Sequence, residues 1–229
     1  MLATASPAAQ DYLKALFMLE SAGAGGRRSR RAPVPTNAVA QRLGVSPASA
    51  TNMLKRLDEA GLVAHSSYKG ASLTASGRKI ALEVVRHHRL IETYLAEALG
   101  VPWDEVHHEA EVLEHVLSEG LEDRIAARLG DPTVDPHGHP IPRRDGSMPP
   151  QSHRRLWDAA AGDRVEVDRV DDSHAEALRY LGGLGVRPGT VLEVVGCGPI
   201  GGPLFVRVGD AAGAEMALSK EIAEAIWIA

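Results

Sequence analysis

The sequence predicts a mainly α-helical chain that ends in a small β domain. Apolar residues recur with a helical period through most of the first 130 residues. A stretch rich in proline covers residues 130–155, and from Trp157 onward short β-like runs alternate with Gly and Pro. With 229 residues, the chain is long enough for one large domain or for two to three small ones.

The N-terminal helices have recognisable start and stop signals. Residues 7–20 carry apolar side chains at the spacing of an amphipathic helix. Thr36 is the predicted N-cap of a short helix that ends at Gly44. Ser46 is the predicted N-cap of the next helix, which stops at Gly61. Two helices joined by a short turn that contains glycine are typical of the helix-turn-helix motif.

A hairpin is predicted directly after these helices. The run LVAHSSYKGASLTASG reads as two short strands around Lys69-Gly70, so residues 7–75 are predicted to form a winged helix-turn-helix. Residues 1–80 carry 11 basic and 4 acidic side chains, whereas residues 81–229 carry 14 and 26. A basic N-terminal third suits a polyanionic partner, unless the charge clustering is accidental.

The helix that begins at Ser46 is the predicted DNA-recognition helix. Its small polar side chains can enter a major groove, and its basic side chains can bind phosphate. The alternative is an ordinary amphipathic helix with a solvated outer face. An Arg-rich loop at residues 27–31 is either a further phosphate contact or a solvated loop. The expected DNA contacts are Thr36, Ser46, Ala48, Ser49, Thr51, Asn52, Lys55, Arg56 and Lys69.

Helices are predicted next over residues 79–98, 103–118 and 119–129, and they contain clustered metal-ligand residues. The second of these helices contains the run HHEAEVLEH, and the first adds a His and a Glu at i, i+4 spacing. Imidazole and carboxylate without thiolate suit a fairly hard divalent transition metal. The alternative is a solvated acidic helix. The candidate ligands are His107, Glu111, Glu114 and His115, which share one helical face, together with His88 and Glu92.

Other metal, cofactor and catalytic motifs fail on their spacing. The zincin pattern that would begin at His108 requires a second histidine at position 112, where the chain has Val. Glu111-x-x-Glu114 is not the Glu-x-x-His of di-iron bundles. Residues 196–201 match G-x-G-x-x-G, but a strand pattern follows, so a glycine-rich hairpin is predicted. Catalysis therefore has no positive support in the sequence.

Composition favours a cytoplasmic protein. The single cysteine, Cys197, cannot form an internal disulfide, which fits a reducing compartment. The chain has no apolar run of about 18 residues and no basic leader followed by an apolar core. Neither a membrane span nor a signal peptide is therefore expected.

Six motifs occur in an order that matches a known family. They are Tyr12-Leu13, LGVSPASATNMLKRLDEAGLV, LTASGRKIA, RHHRLIETYL, VHHEAEVLEHVLS and DPHGHPIP. On these motifs the chain resembles the diphtheria-toxin-repressor (DtxR/MntR) family of metal-activated transcriptional regulators, strongly over residues 7–142 and weakly in the β segment. The resemblance implies a winged helix-turn-helix domain (1–75), a helical metal-binding and dimerisation domain (76–142), a proline-rich linker (143–156) and a small SH3-like, FeoA-like barrel (157–229).

The resemblance also implies two adjacent metal sites. The primary site would comprise Asp11, Glu111, Glu114 and His115. The ancillary site would comprise His88, Glu92 and His107, with Asp172, His174 or Glu176 of the SH3-like domain as candidate additions.

Two positions bear on the identity of the metal. Iron-responsive members of the family carry Met and Cys where this chain has Asp11 and Glu111, whereas manganese-responsive members carry Asp and Glu. Ligation by oxygen and nitrogen alone suits Mn(II). The short manganese-type proteins, however, have Glu where this chain has Lys14, and they lack the third domain. Fe(II) is therefore retained as a second effector.

We expect a cytoplasmic, homodimeric repressor of metal-ion homeostasis that is activated by Mn(II), and by Fe(II) as a second effector. It would bind a palindromic operator in double-stranded DNA, and neither a membrane nor a small organic substrate is expected as a partner. Three alternatives remain open. In the first, Fe(II) is the main effector. In the second, the chain is a metal-dependent enzyme with a winged-helix interaction module. In the third, the chain binds DNA without metal and its acidic helix is only an interface.

Overall fold

The computed structural model describes residues 5–23, 32–66, 69–209 and 214–229. Its residues divide into two units. The first unit contains Met1–His88, Leu113–Ser118 and Pro142–Ser147, and the second contains Arg89–Val112, Glu119–Ile141 and Met148–Ala229. In the described part of the chain, no helix is both long enough and apolar enough to cross a membrane.

Local capping signals set the helix ends of the first unit. Ser46 accepts a hydrogen bond of 3.1 Å from the Ser49 amide, as expected of an N-cap. Gly44 ends the preceding helix at φ +63°. The prediction that Thr36 is an N-cap is wrong: Thr36 is the first helical residue, because Pro35 already has the extended cap conformation. The first six elements are α1 (Pro7–Gly23), α2 (Thr36–Arg42), α3 (Pro47–Glu59), β1 (Val63–Ser66), β2 (Gly70–Leu73) and α4 (Ala75–Leu99).

The predicted wing is an antiparallel hairpin of β1 and β2, in which Val63 pairs with Leu73. Val34 extends it through two backbone hydrogen bonds with Ala71, of 2.7 and 2.9 Å. This close approach requires glycine at position 70, where φ is +96° and a Cβ would lie 2.2 Å from the Val34 carbonyl oxygen. The hairpin packs with α1 and α3, which confirms the winged helix-turn-helix. Buried apolar residues of this core include Leu13, Leu16, Phe17, Val39, Ala50, Leu54, Leu57 and Val63.

The predicted helix over 103–118 is shorter in the structure. Helix α5 covers Val106–Leu113, and α6 covers Glu119–Arg128. After α5 the Val116 amide donates to the Leu113 carbonyl, at the three-residue spacing of a turn. The prediction that four ligand residues share one helical face is therefore wrong, because two of them follow the last helical residue.

The predicted β domain is a six-stranded antiparallel sheet in the second unit, with strand order β3-β8-β4-β5-β6-β7. Register shifts occur between Val167 and Arg169 and between Val194 and Gly196. The sequence did not predict a helix here, nor the last strand. The glycine-rich run at residues 196–201 joins two strands, as predicted. The elements are β3 (Arg154–Arg155), a 3-10 turn (Leu156–Asp158), β4 (Arg164–Val170), α7 (Ala175–Gly183), β5 (Val191–Cys197), β6 (Leu204–Val208), β7 (Glu215–Leu218), α8 (Lys220–Glu224) and β8 (Ile226–Ile228).

Part of the proline-rich stretch is built into the second unit as an ordered loop. Val134 and Pro140 form a β-bridge, and the His137 carbonyl accepts a 2.9 Å hydrogen bond from the Val170 amide of β4. Gly138 lies so close to β4 that a Cβ would be 2.2 Å from the Asp168 carbonyl oxygen, and its φ is +88°. The glycine therefore fixes the two flanking residues against the sheet domain.

Candidate metal centres and nucleic-acid face

Three predicted metal ligands meet in the first unit. Asp11 comes from α1, and Glu114 and His115 come from the turn at residues 113–118. One ligand atom of each lies within 4.8 Å of the others. His115 Nε2 is 3.0 Å from Asp11 Oδ1 and 3.6 Å from Glu114 Oε1. We call Asp11, Glu114 and His115 the first centre; two carboxylates and one imidazole fit a divalent cation.

The ring of His115 is oriented to present Nε2 to this centre. Its Nδ1 lies 2.7 Å from Gln10 Oε1, and because an amide oxygen can only accept, Nδ1–H is the donor. In the neutral ring Nε2 then carries the lone pair. A lone pair 3.0 Å from the Asp11 carboxylate needs a proton or a cation between the two atoms.

Two further side chains fill the first centre. Lys14 Nζ donates to both carboxylate oxygens of Glu114, at 3.0 and 2.7 Å. His88 Nδ1 lies 2.5 Å from Glu114 Oε2 and 3.0 Å from Lys14 Nζ. His88, which was predicted as an ancillary ligand, therefore contacts a predicted primary ligand in the first unit.

Opposing effects set the acidity of the two carboxylates. Burial alone would raise the pKa of Glu114, but the hydrogen bond with His88 and the positive charge of Lys14 lower it below its usual value. Burial raises the pKa of Asp11, assisted by the nearby charge of Glu114 and opposed by His115 and Lys14. Glu114 is therefore the ionised anchor of the first centre, and Asp11 gives up its proton less readily.

A second cluster of ligand-type residues lies in the second unit. His107 Nδ1 of α5 is 3.1 Å from Glu92 Oε1 of α4, and His137 Nδ1 is 3.9 Å from Glu92 Oε2. Ligand atoms of Glu92, His137 and Asp172 lie within 4.8 Å of one another. We call Glu92, His107, His137 and Asp172 the second centre.

The predicted primary ligand Glu111 lies beside His107. Its Oε1 is 3.5 Å from His107 Nε2, so the imidazole lies between the carboxylates of Glu111 and Glu92. Hydrogen bonds to these two groups, first to Glu111, raise the pKa of His107 to about 10.

The loop at residues 133–141 supplies ligand-type residues that the sequence reasoning did not identify. The carbonyl of Trp103 accepts a 2.7 Å hydrogen bond from His137 Nε2, which leaves Nδ1 to face Glu92. His139 Nδ1 lies 3.6 Å from both Asp135 Oδ2 and Asp172 Oδ2. Within the described chain, His137 Nδ1, His139 Nδ1 and Asp135 Oδ2 are buried without a hydrogen-bond partner, as atoms that await a cation would be.

A signal for these ligands was present in the motif DPHGHPIP, which places an Asp and two His at alternate positions around a glycine. Of the three candidates from the β domain, Asp172 joins the second centre, whereas His174 and Glu176 are exposed at the start of α7. Neither belongs to a ligand cluster among the residues that the structure describes.

The predicted DNA contacts lie on the surface of the first unit. All nine are exposed or half-buried. The Ser46 hydroxyl caps α3, and the Thr51 hydroxyl donates to the Pro47 carbonyl, so these two groups have structural roles. The predicted phosphate contacts at 27–31 lie outside the described residues.

A groove of about 530 Å³ separates α3 from the wing, and it adds two residues to this face. Asn37 and His65 line it beside four of the predicted contacts. Its lining includes amide, hydroxyl, imidazole and ammonium groups but no carboxylate, a chemistry that suits a polyanion. The groove is lined by Pro35, Thr36, Asn37, Thr51, Lys55, His65, Lys69 and Gly70.

Family models match three consecutive parts of the chain. Residues 4–71 match the N-terminal DNA binding domain of iron dependent repressors, and residues 74–143 match their metal binding and dimerisation domain. Residues 154–229 match the FeoA domain. The diphtheria toxin repressor of Corynebacterium efficiens is 30% identical over 194 residues, which cover 80% of this chain and 81% of that protein. The chain belongs to the DtxR/MntR family.

Other members of the family are also similar. The iron-dependent repressor IdeR of Mycobacterium tuberculosis is 37% identical over 131 residues, which cover 57% of this chain and 54% of IdeR. The match thus spans about half the length of that relative. A solved structure of a manganese-dependent transcriptional repressor in complex with manganese is 42% identical, with a TM-score of 0.86 and coverage of 96% of this chain and 98% of that one. These relatives are transcriptional repressors, not enzymes, which removes the support for the enzymatic alternative.

Proposed function

We propose that the protein is a metal-activated DNA-binding repressor of metal-ion homeostasis, with Mn(II) as its main effector and Fe(II) as a second one. The observation that carries this proposal is the first centre, where two carboxylates and an imidazole converge. One of the carboxylates, Asp11, belongs to the α1 helix of the DNA-binding fold. The exposed, carboxylate-free groove of the same unit supports DNA as the partner. The proposed site of action is the cytoplasm.

The donor atoms favour Mn(II) over softer metals. Asp11, Glu114 and His115 would hold the ion in the first centre, with Glu111 as the fourth ligand expected from the family. The only thiol, Cys197, is exposed in the β domain, where its Sγ contacts the Gly202 carbonyl oxygen. Because Mn(II) binds a given ligand set more weakly than Fe(II), its use as an effector also depends on the metals available in the cell.

The geometry of the first unit suggests how the residues would couple metal to DNA. Asp11, Glu114 and His115 would hold the ion, which would supply the positive charge needed between the two carboxylates. Asp11 belongs to α1, which packs on α2, α3 and β2. Fixing Asp11 to the turn that carries Glu114 and His115 would therefore fix the recognition helix relative to that turn. The effect on DNA affinity is limited by the difference in metal affinity between the fixed and free arrangements.

A homodimer on a palindromic operator is part of the same proposal. The matched dimerisation domain and several exposed apolar side chains in the second unit support it: Leu99 is 61% exposed, Val112 63% and Leu121 50%. Two recognition helices would then contact successive major grooves, about 34 Å apart.

A mobility-shift assay on the DNA upstream of the protein's own gene tests the proposal. The wild-type protein should shift this DNA with Mn(II), less well with Fe(II), and not with chelator. Asp11→Ala should weaken the Mn(II)-dependent shift by tenfold or more, because the link from α1 to the turn is lost; one good metal ligand is worth about 1.4 kcal/mol or more. Glu109→Ala removes an exposed carboxylate of α5 as a control and should have no effect. A normal metal-dependent shift by Asp11→Ala would contradict the proposed link.

Metal preference is tested by Glu111→Cys. A thiolate in place of this carboxylate should move the preference from Mn(II) toward Fe(II) or softer ions, measured as calorimetric dissociation constants for Mn(II), Fe(II) and Cd(II). Glu109→Cys adds a thiol at an exposed position of the same helix and serves as the matched control. An unchanged ranking of the metals in Glu111→Cys would exclude Glu111 from the site.

A further inference from the structure

Lys14 is held inside the first centre by contacts that a metal ion would also need. Its ammonium nitrogen donates to the two carboxylate oxygens of Glu114 at 2.7 and 3.0 Å. It also lies 3.0 Å from His88 Nδ1, but that nitrogen donates to Glu114 and cannot accept from the ammonium. The side chain of Glu114 is 1% exposed and that of Lys14 is 14% exposed. A pair this deeply buried is not an incidental surface salt bridge.

The buried carboxylate of Glu114 requires positive charge in any state of the protein. Removal of an ionised carboxylate from water is costly unless a cation or several donors compensate. In the described structure Lys14 occupies both of its oxygens, and His88 assists at one of them. A divalent ion ligated by Glu114 needs a lone pair on one of the same oxygens and repels an ammonium at this distance.

We propose that Lys14 is a built-in competitor of the metal, an internal cation that stabilises the first centre without metal and must leave it when a metal binds. The inference rests on the proposed function, since it assumes that the first centre binds metal. Lys14 thereby sets the metal concentration at which the repressor becomes active. If only a fraction of the molecules have Lys14 out of the centre at a given moment, the apparent dissociation constant for the metal equals the intrinsic constant divided by that fraction.

The form of the side chain suits this role. A lysine carries its charge on a flexible stem of four carbons, so the ammonium can move toward water while the stem remains packed. The partial exposure of Lys14 indicates that a path to solvent exists. The competing cation thus leaves its position without unfolding α1.

The test compares Mn(II) affinities, measured by calorimetry on the full chain, for the wild type, Lys14→Met, Lys14→Gln and Lys14→Arg. Lys14→Met and Lys14→Gln remove the charge and should bind Mn(II) about tenfold more tightly, the factor that corresponds to one hydrogen bond to a charged group. Lys14→Arg keeps the cation and should stay within about threefold of the wild type. Lys79→Met, at an exposed position of α4, is the matched control and should not differ from the wild type.

Thermal melting provides an independent measurement. In chelator, Lys14→Met and Lys14→Gln should melt below the wild type because the Glu114 charge has lost its partner. Their melting temperature should rise more on addition of Mn(II) than that of the wild type, since the ion replaces the missing charge.

The outcomes separate this inference from the proposed function. If the wild type and all variants fail to bind Mn(II), the proposed function is wrong. If the wild type binds Mn(II) and both neutral variants bind it equally or more weakly, Lys14 is not a competitor and this inference alone is overturned. Lys14→Gln decides the matter if Lys14→Met does not fold, because it keeps a hydrogen-bond donor for Glu114.

Discussion

The first and second centres meet the same electrostatic problem in different ways. In the first centre a lysine donates to both oxygens of the buried Glu114 carboxylate. In the second centre the compensating cation is an imidazole: His107, whose pKa is raised to about 10, lies 3.1 Å from Glu92 Oε1 through its Nδ1. The first centre is therefore neutralised by a lysine, which has no lone pair to offer a metal, whereas the second is neutralised by a histidine, and its His137 Nδ1 is buried without a hydrogen bond in the described chain. The comparison suggests that the second centre accepts a cation more readily than the first.

Removal of the central carboxylate should have the largest effect. Glu114→Ala leaves Lys14 partly buried without its partner, so we expect the metal-free protein to lose about 3 kcal/mol in its free energy of unfolding. Urea denaturation in the presence of chelator measures this loss. Addition of Lys14→Met to Glu114→Ala should recover part of it, because the unpaired charge is gone. A loss below about 0.5 kcal/mol would mean that the pair behaves like a surface salt bridge, and the contrast between the centres would fail.

Loss of one imidazole should distinguish the second centre from the first. His137→Ala should weaken metal binding at the second centre by roughly ten- to hundredfold, since removal of even outer ligand partners has effects of this size. Calorimetric titration with Mn(II) should then show one binding event fewer than in the wild type. His108→Ala, which removes an exposed histidine of α5, is the control. If the stoichiometry and the affinity of Mn(II) binding are unchanged in His137→Ala, the second centre does not bind metal through His137.

The last expected effect concerns pH, and it is reduced because 33% of the His107 side chain is exposed, so that solvent screens its ion pairs. The pKa of His107 is raised from 6.5 to about 10 in the folded protein, so its protonation contributes stability that is complete below about pH 6.5. This contribution is lost as the pH rises from about 6.5 to 10. Without metal, the free energy of unfolding should therefore decline over this window, and the decline should be shallower in His107→Gln. Equal slopes for the two proteins, obtained by urea denaturation at several pH values, would contradict the assigned ion pairs.

The parts of the fold that depend on residues close together in the sequence could be predicted from the sequence. Ser46 caps α3 and Gly44 ends α2 because the chemistry of these residues acts within one turn. Helix α7 was missed since it is nine residues long and its N-cap, His174, makes no side-chain capping bond. The sequence therefore has no capping signal for α7, and packing against the rest of the β domain stabilises this helix instead.

The candidate sites show the same division. Asp11, Glu114 and His115 converge in the structure, although the helix that was predicted to carry Glu114 and His115 ends before Glu114. A helix and a turn give similar residue spacing over so few positions, so the sequence could not locate this end. His137 and His139 were missed because a proline-rich stretch reads as a connector. Their burial depends on the close contact between Gly138 and β4, which no local pattern reveals.

The contact between Trp103 and His137 has an optical consequence. The indole and imidazole rings stack with centroids 5.7 Å apart, and the same histidine bonds to the Trp103 backbone carbonyl. Only three tryptophans occur in the chain, and a second one, Trp227, meets the ring of His139 at 6.4 Å. Two of the three tryptophans thus lie against imidazoles beside the second centre, so tryptophan emission can report on events at that centre without any attached label.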